Sequence, residues 1–243
     1  MTPRPRPREI WTRLAVDPLA DPLSRVLARS SHVTPDRITA AAVCFAVACA
    51  ACFATGHLRA GGLLFLLRFF TDCLDGKVAR LQGTSSARGA MLDLAADVSG
   101  ISLVAAALSW KLLDRHDVPT AVPLALLGLL VYYNWALAYR KSVGQALGIG
   151  DGGADHTGGV DVPVLGAWVA LCRRLNMSPV PWVLEAEIAV FGLAPLLLPS
   201  HWVGRVMVLG AVFYLVADLV NTRRLWRMTR APHARSDRGM GTT

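Results

Sequence analysis

Four aspartates stand where their neighbours are apolar: Asp72 and Asp75 within the stretch 61–81, and Asp93 and Asp97 within 89–113. An ionised carboxylate in an apolar layer costs several kcal/mol, so such groups normally face a polar cavity and have a task there. At about 100° per residue, Asp72, Asp75 and Ala79 share one helical stripe, and Gly89, Asp93, Asp97 and Gly100 share another. Two helices that face each other would set four carboxylates across a narrow gap. Like charges that close do not all stay ionised without cations, and several hard oxygen ligands suit Mg²⁺ or Mn²⁺. A two-metal site of this kind clamps phosphoryl oxygens and stabilises the attacking and leaving oxygens of a phosphoryl transfer. Gly76 and Gly89 leave room for a phosphate to approach the backbone, and Arg80 can neutralise it.

The elements that carry these residues are legible in the composition. The chain has 243 residues, 53% of them hydrophobic and only 17% charged, against roughly 25% charged in an ordinary soluble domain. The mean hydropathy is +0.42. Apolar stretches occupy residues 38–55, 61–81, 89–113, 119–139, 183–199 and 202–220. Each is close to the roughly 20 residues that cross a bilayer as a helix, and none shows the alternating pattern of a barrel strand. The expected fold is therefore an all-α polytopic membrane bundle of about six transmembrane helices. Thr34-Pro35-Asp36 marks a helix start. Ahead of it, Leu19, Leu23, Val26 and Leu27 recur at helical spacing opposite Asp21, Ser24 and Arg25, the pattern of a short helix lying in the membrane interface or of a soluble linker helix. The expected organisation is an N-terminal arm over 1–37, a transmembrane domain over 38–221 and a basic tail over 222–243. Residues 1–8 are basic, but Glu9, Arg13, Asp17 and Asp21 break up the next dozen residues and leave no apolar run, so no cleaved signal peptide is expected.

The formal net charge is +8, and the basic residues are unevenly placed. With both termini on one side, that side receives twenty Lys and Arg and the other four, with Arg68 inside a stretch. The positive-inside rule then puts both termini in the cytoplasm, in a multi-pass protein of the plasma membrane. The same basic face attracts anionic lipid headgroups, so nucleic acid is not needed to explain the charge. The Gly- and Asp-rich segment 145–165 reads as a flexible connector. Five cysteines, four of them in apolar runs, read as reduced packing residues.

The run from Asp72 to Arg80, then Gly89, Asp93 and Asp97, spells D-x2-D-G-x2-A-R-x8-G-x3-D-x3-D without a departure. This resembles the signature of the CDP-alcohol phosphatidyltransferases, integral membrane phospholipid synthases. The resemblance implies transfer from a CDP-linked alcohol to an acceptor hydroxyl, releasing CMP and forming a phosphodiester. On this sequence it implies Asp72, Asp75 and Asp93 as ligands of Mg²⁺ or Mn²⁺, and Asp97 as a further ligand and the general base. It assigns Gly76, Ala79, Arg80 and Gly89 to the cytidine diphosphate site, and it implies a homodimer. The depth of the carboxylates favours CDP-diacylglycerol as donor and a small polar alcohol as acceptor. The same motif permits CDP-choline-type transfer to a lipid alcohol.

Acceptor identity is less legible. The segments 83–86 and 97–100 faintly resemble bacterial phosphatidylserine synthases, and phosphatidylinositol phosphate synthases look less similar beyond the motif. Arg140, Lys141, Arg173 and Arg174 either bind a charged acceptor or record topology alone. Arg68, one turn before Asp72, either balances the site's charge or snorkels. Asp218 is expected to pair with Arg223 or Arg224, and Glu185 and Glu187 either sit at a membrane boundary or reach an acceptor. From another functional class, a divalent-cation transporter or an inactive scaffold would also place carboxylates in a bilayer. A transporter needs polar residues continuing across it, and the outer halves of these stretches are almost uninterrupted Leu, Val and Ala.

Overall fold

Helix boundaries are set by local chemistry that the sequence announces. Thr34 is extended, with φ −102° and ψ 151°, its Oγ1 accepts from the Arg37 N–H, and Pro35 fills the first helical position. At the next junction Gly83 adopts a left-handed φ of 68°, closing one helix, and the Ser86 hydroxyl accepts from Gly89 N–H to open another. Only the segment 83–86 separates these two helices, so the chain reverses tightly.

The computed structural model describes residues 9–30, 32–146, 166–178 and 182–230. In order the helices are α1 (Asp17–Leu27), continuous with a π-helical turn over Thr12–Val16, then α2 (Pro35–Ala54), α3 (Leu58–Gln82), α4 (Ala87–Asp114) and α5 (Ala121–Ala146). They continue with α6 (Gly166–Leu175), α7 (Val183–Glu187), a π-helical segment over Ile188–Leu193, α8 (Ala194–Leu197) and α9 (Ser200–Arg230). Every apolar stretch is helical, as an all-α membrane bundle requires, and α2, α4, α5 and α9 are each long and apolar enough to cross a membrane. The fifth stretch is not one regular helix, because α7 and α8 are joined by wider π turns with Pro195 near the start of α8. Most of the Gly-rich connector, 147–165, lies outside the described residues.

Two apolar clusters hold the bundle. The larger joins α2, α3, α4, α5 and α9 through Phe53, Phe65, Leu108, Leu126, Met207 and Tyr214. The smaller joins the N-terminal helix to α2 and α3 through Val16, Ala20, Ile38, Phe69 and Val78. Here the structure refines the sequence pattern for α1. Its Leu19 and Val26 are 65% and 61% exposed, while Asp17, Ala20 and Ser24 are buried against the bundle. Leu19, Leu23 and Val26 face outward while Leu27 packs on the bundle and Asp17 and Ser24 face the protein, an arrangement suited to lipid surroundings. All five cysteines are free, and Cys49 lies in the larger cluster with its thiol on the Gly61 carbonyl.

α2 packs extensively on both α3 and α4, whereas α3 and α4 barely touch each other along their backbones. The helix pair joined by the tight 83–86 turn is thus splayed, with α2 as its floor. Into that gap project the four aspartates.

Candidate active site

One carboxylate oxygen from each of Asp72, Asp75 and Asp93 lies within 4.8 Å of the other two. Asp72 and Asp75 come from the last turns of α3, and Asp93 from the second turn of α4. The short reversal through Gly83 and the Ser86 cap brings the two stripes to one depth. Asp75 is buried, and its Oδ2 accepts a 2.6 Å hydrogen bond from the Thr39 hydroxyl on α2. Asp97 lies beside Asp72, with its Oδ1 2.8 Å from Nη2 of Arg68. Arg68 is therefore turned into the bundle, only 5% exposed, rather than snorkelling to a surface.

The residues assigned to the nucleotide surround this cluster. Arg80 is exposed and folds back along its own helix, so that a Cβ on Gly76 would lie 3.4 Å from its Nη1. The bare backbone at Gly76 and the guanidinium therefore share one surface, as an anion cradle needs. Gly89 is held by the Ser86 cap, and Ala79 is half-buried one turn after Asp75. Three converging carboxylates form a hard-oxygen donor set without a protein cation among the three, and they fit Mg²⁺ or Mn²⁺.

Comparison with known proteins agrees. Residues 32–217 match the sequence profile of the CDP-alcohol phosphatidyltransferases. The chain belongs to this family. The phosphatidylinositol phosphate synthase of Mycolicibacterium smegmatis is 31% identical over 188 residues, spanning 76% of this chain and 82% of that one. Among solved structures, the Mycobacterium tuberculosis phosphatidylinositol phosphate synthase with CDP-DAG bound superposes with a TM-score of 0.59 at 22% identity, covering 86% of this chain and 94% of that chain. Its complex with manganese and citrate gives a TM-score of 0.53 at 24% identity, covering 86% and 89%. The chain is thus a membrane CDP-alcohol phosphatidyltransferase, a transferase of phospholipid biosynthesis whose three converging carboxylates fit Mg²⁺ or Mn²⁺. The faint likeness to phosphatidylserine synthases is corrected by these relatives. The segment 83–86 is cap and turn chemistry, with Gly83 closing one helix and Ser86 opening the next.

Elsewhere in this phosphatidyltransferase, Arg140 is tied to a neighbouring helix. Arg140 reaches from α5 to α9, where its Nη1 donates a 2.8 Å bond to Asn221. Lys141 and Arg174 are exposed, and the side chain of Arg173 lies outside the described residues. Asp218 does not pair with Arg223 or Arg224. Both of its carboxylate oxygens are buried without a hydrogen-bond partner among the described residues, because positions five and six along a helix point to other faces. Glu185 is not a bare boundary residue either: it accepts from the Trp182 and Ile10 backbone N–H groups at 2.8 and 2.9 Å, tying α7 to the N-terminal segment. Glu187 accepts a 2.6 Å bond from the Tyr214 hydroxyl inside the bundle.

Two residues next to the site, Thr39 and Lys77, escaped the sequence reading, and a third, Arg68, was read without its partner. Thr39 is an ordinary second-turn threonine by sequence, and nothing short of the packing of α2 on α3 links it to Asp75. Lys77, a variable position of the motif, bonds Asp17 at 2.7 Å and also Asp21, fastening α1 to the helix that carries Asp72 and Asp75. Arg68 carried a signal, a lone charge in an apolar run, but its partner on α4 was not readable.

Proposed function

We propose that the protein transfers a phosphatidyl group from CDP-diacylglycerol to a hydroxyl of a phosphorylated polyol, of the inositol phosphate class, releasing CMP. The observation that carries this is the convergence of Asp72, Asp75 and Asp93 within 4.8 Å, with Asp97 beside them. The acceptor class rests on the phosphatidylinositol phosphate synthases among the relatives. Asp72, Asp75 and Asp93 would hold Mg²⁺ or Mn²⁺, with Asp97 as a further ligand, and the metal supplies Lewis-acid stabilisation of the pyrophosphate oxygens. Gly76, Ala79, Arg80 and Gly89 line the cytidine diphosphate site. Asp97 takes the proton of the acceptor hydroxyl as its oxygen bonds to the phosphorus that bears the diacylglycerol. The bond from that phosphorus to the bridging oxygen breaks, and the oxygen leaves with CMP. An aspartate is a weak base at its reference pKa of about 3.9, so acidification of the hydroxyl near the cluster is part of the scheme.

Arg140, with Lys141, Arg173 and Arg174, is the candidate group for the acceptor's phosphate, since guanidinium groups form charge-assisted bonds to phosphate oxygens. In this reading the chain crosses the plasma membrane six times. Its arm 1–37, with α1 in the interface, and its tail 222–243 are cytoplasmic, the site opens to the cytoplasm, and two copies pair. The twenty-to-four distribution of basic residues supports the orientation.

The test is mass spectrometry of lipids formed by purified protein given Mn²⁺, CDP-diacylglycerol and a panel of serine, inositol, inositol phosphate and glycerol phosphate. A lipid carrying inositol phosphate, formed with equimolar CMP, is expected. Product with serine alone would overturn the acceptor class. Conversion of CDP-choline with diacylglycerol, and of no soluble alcohol, would reverse the donor.

A further inference from the structure

A guanidinium buried among apolar helices is expensive unless it is paired, so the partner of Arg68 shows what its retention secures. Nη2 of Arg68 touches Asp97 twice, donating to its backbone carbonyl at 3.3 Å and to its carboxylate Oδ1 at 2.8 Å. Contact to both groups of one residue fixes the side-chain torsion as well as the charge. The seat is fitted: a Cβ on Gly100, one turn on along α4, would stand 3.2 Å from Arg68 Nε and 3.3 Å from Nη2. Arg68 is 5% exposed, whereas the side chain of Asp97 is 41% exposed, so one end of the pair is anchored and the other faces the gap.

We propose that Arg68 is a positioning residue of this enzyme. It holds Asp97 by Oδ1, leaves Oδ2 turned to the reacting groups, and offsets one of the four carboxylate charges so that the cluster does not over-bind its metal. The proposal rests on the phosphatidyl-transfer reading above and deepens it. Without the guanidinium, Asp97 swings freely toward Asp72, Asp75 and Asp93 and adds a full uncompensated charge to their site. At the separations within one site, a unit charge changes a divalent ion's affinity by tenfold or more, even in a medium of effective dielectric constant about 20.

The experiment measures Mn²⁺ binding to detergent-solubilised full-length protein by loss of the free-Mn²⁺ electron paramagnetic resonance signal, alongside kcat. Arg68→Met is expected to bind Mn²⁺ at least about tenfold more tightly while its kcat falls at least about tenfold. Asp97→Asn should bind it more weakly, because the guanidinium is then uncompensated. The double variant should bind Mn²⁺ more tightly than Asp97→Asn and more weakly than Arg68→Met, since one charge of each sign has been removed. Arg68→Lys, which keeps the charge but not the two-point grip, should hold wild-type Mn²⁺ affinity and still lose kcat. Arg68→Gln replaces Arg68→Met if that variant is not monodisperse. Wild-type Mn²⁺ affinity in Arg68→Met, or equal affinities in the Lys and Met variants, would overturn the proposal while leaving the transferase reading intact. Failure of the wild-type protein to bind Mn²⁺ would instead overturn the metal-site reading on which it rests.

Discussion

Thr39 on α2 donates a 2.6 Å hydrogen bond to Oδ2 of Asp75 on α3, joining the floor of the splayed helix pair to one of the converging carboxylates. A hydrogen bond to a charged, buried group contributes about 1.5–3 kcal/mol, and here it also fixes which carboxylate oxygen remains for a cation. Thr39→Val keeps the shape and removes the donor. It should lower Mn²⁺ affinity and kcat by about tenfold each, whereas Thr39→Ser should stay close to wild type. Mn²⁺ titrations of turnover check this, and an unaffected Val variant would make the bond incidental.

Metal removal should abolish turnover, and Mg²⁺ or Mn²⁺ should restore it. Single Asn replacements of Asp72, Asp75 or Asp93 should each cost at least about a hundredfold in kcat, with the protein still folded and membrane-inserted. Asp97→Asn should differ in kind, retaining CDP-diacylglycerol binding while chemistry is lost. Binding of donor by calorimetry and turnover by CMP release separate the two behaviours. Near-normal turnover of Asp93→Asn would defeat the metal assignment.

The ion pair of Lys77 with Asp17 is nearly dry, since the side chains are 13% and 2% exposed. Breaking one partner of a buried pair costs up to about 3–5 kcal/mol, and less than that here because Arg13 stays 3.9 Å from Asp17. Lys77→Met should therefore lower the melting temperature and open α1 to protease at Arg25. Adding Asp17→Asn to it should recover part of the loss. Equal melting of the single and double variants would show that the pair does not fasten α1.

For orientation, single cysteines in a background lacking Cys44, Cys49, Cys52, Cys73 and Cys172 offer a direct measurement. An impermeant maleimide added outside intact cells should label position 115 and miss positions 88 and 223. Both 88 and 115 are exposed at opposite ends of α4, so the pattern reads one helix from its two ends. Labelling at 88 would invert the proposed topology.

Arg140→Gln should raise the KM for a phosphorylated acceptor by about tenfold or more and change the KM for CDP-diacylglycerol far less, because the aspartate cluster is untouched. Asn221→Ala serves as the control, since it removes the α9 partner of Arg140 but no charge. Parallel rises in both KM values for Arg140→Gln would return this residue to a packing or topology role.

By itself the sequence determined the helical membrane class, the helix start at Thr34, and the eight-position signature that places four aspartates at one depth. These are local properties, set by hydropathy, by backbone preference and by the 3.6-residue period, all of which act over a few turns. Only the tertiary structure decided who faces whom. That Arg68 meets Asp97 rather than a lipid interface, that Lys77 meets Asp17, and that Thr39 meets Asp75 depends on how α2 wedges between α3 and α4. Asp218 makes the same point from the other side: its neighbours in sequence are basic, yet the helix carries them to different faces and leaves its carboxylate buried without them. The outward turn of Leu19 and Val26 on α1 likewise reflects the buried ion pair beneath it, because a side chain's stripe is local while the surface that stripe meets is set by the packing of distant segments.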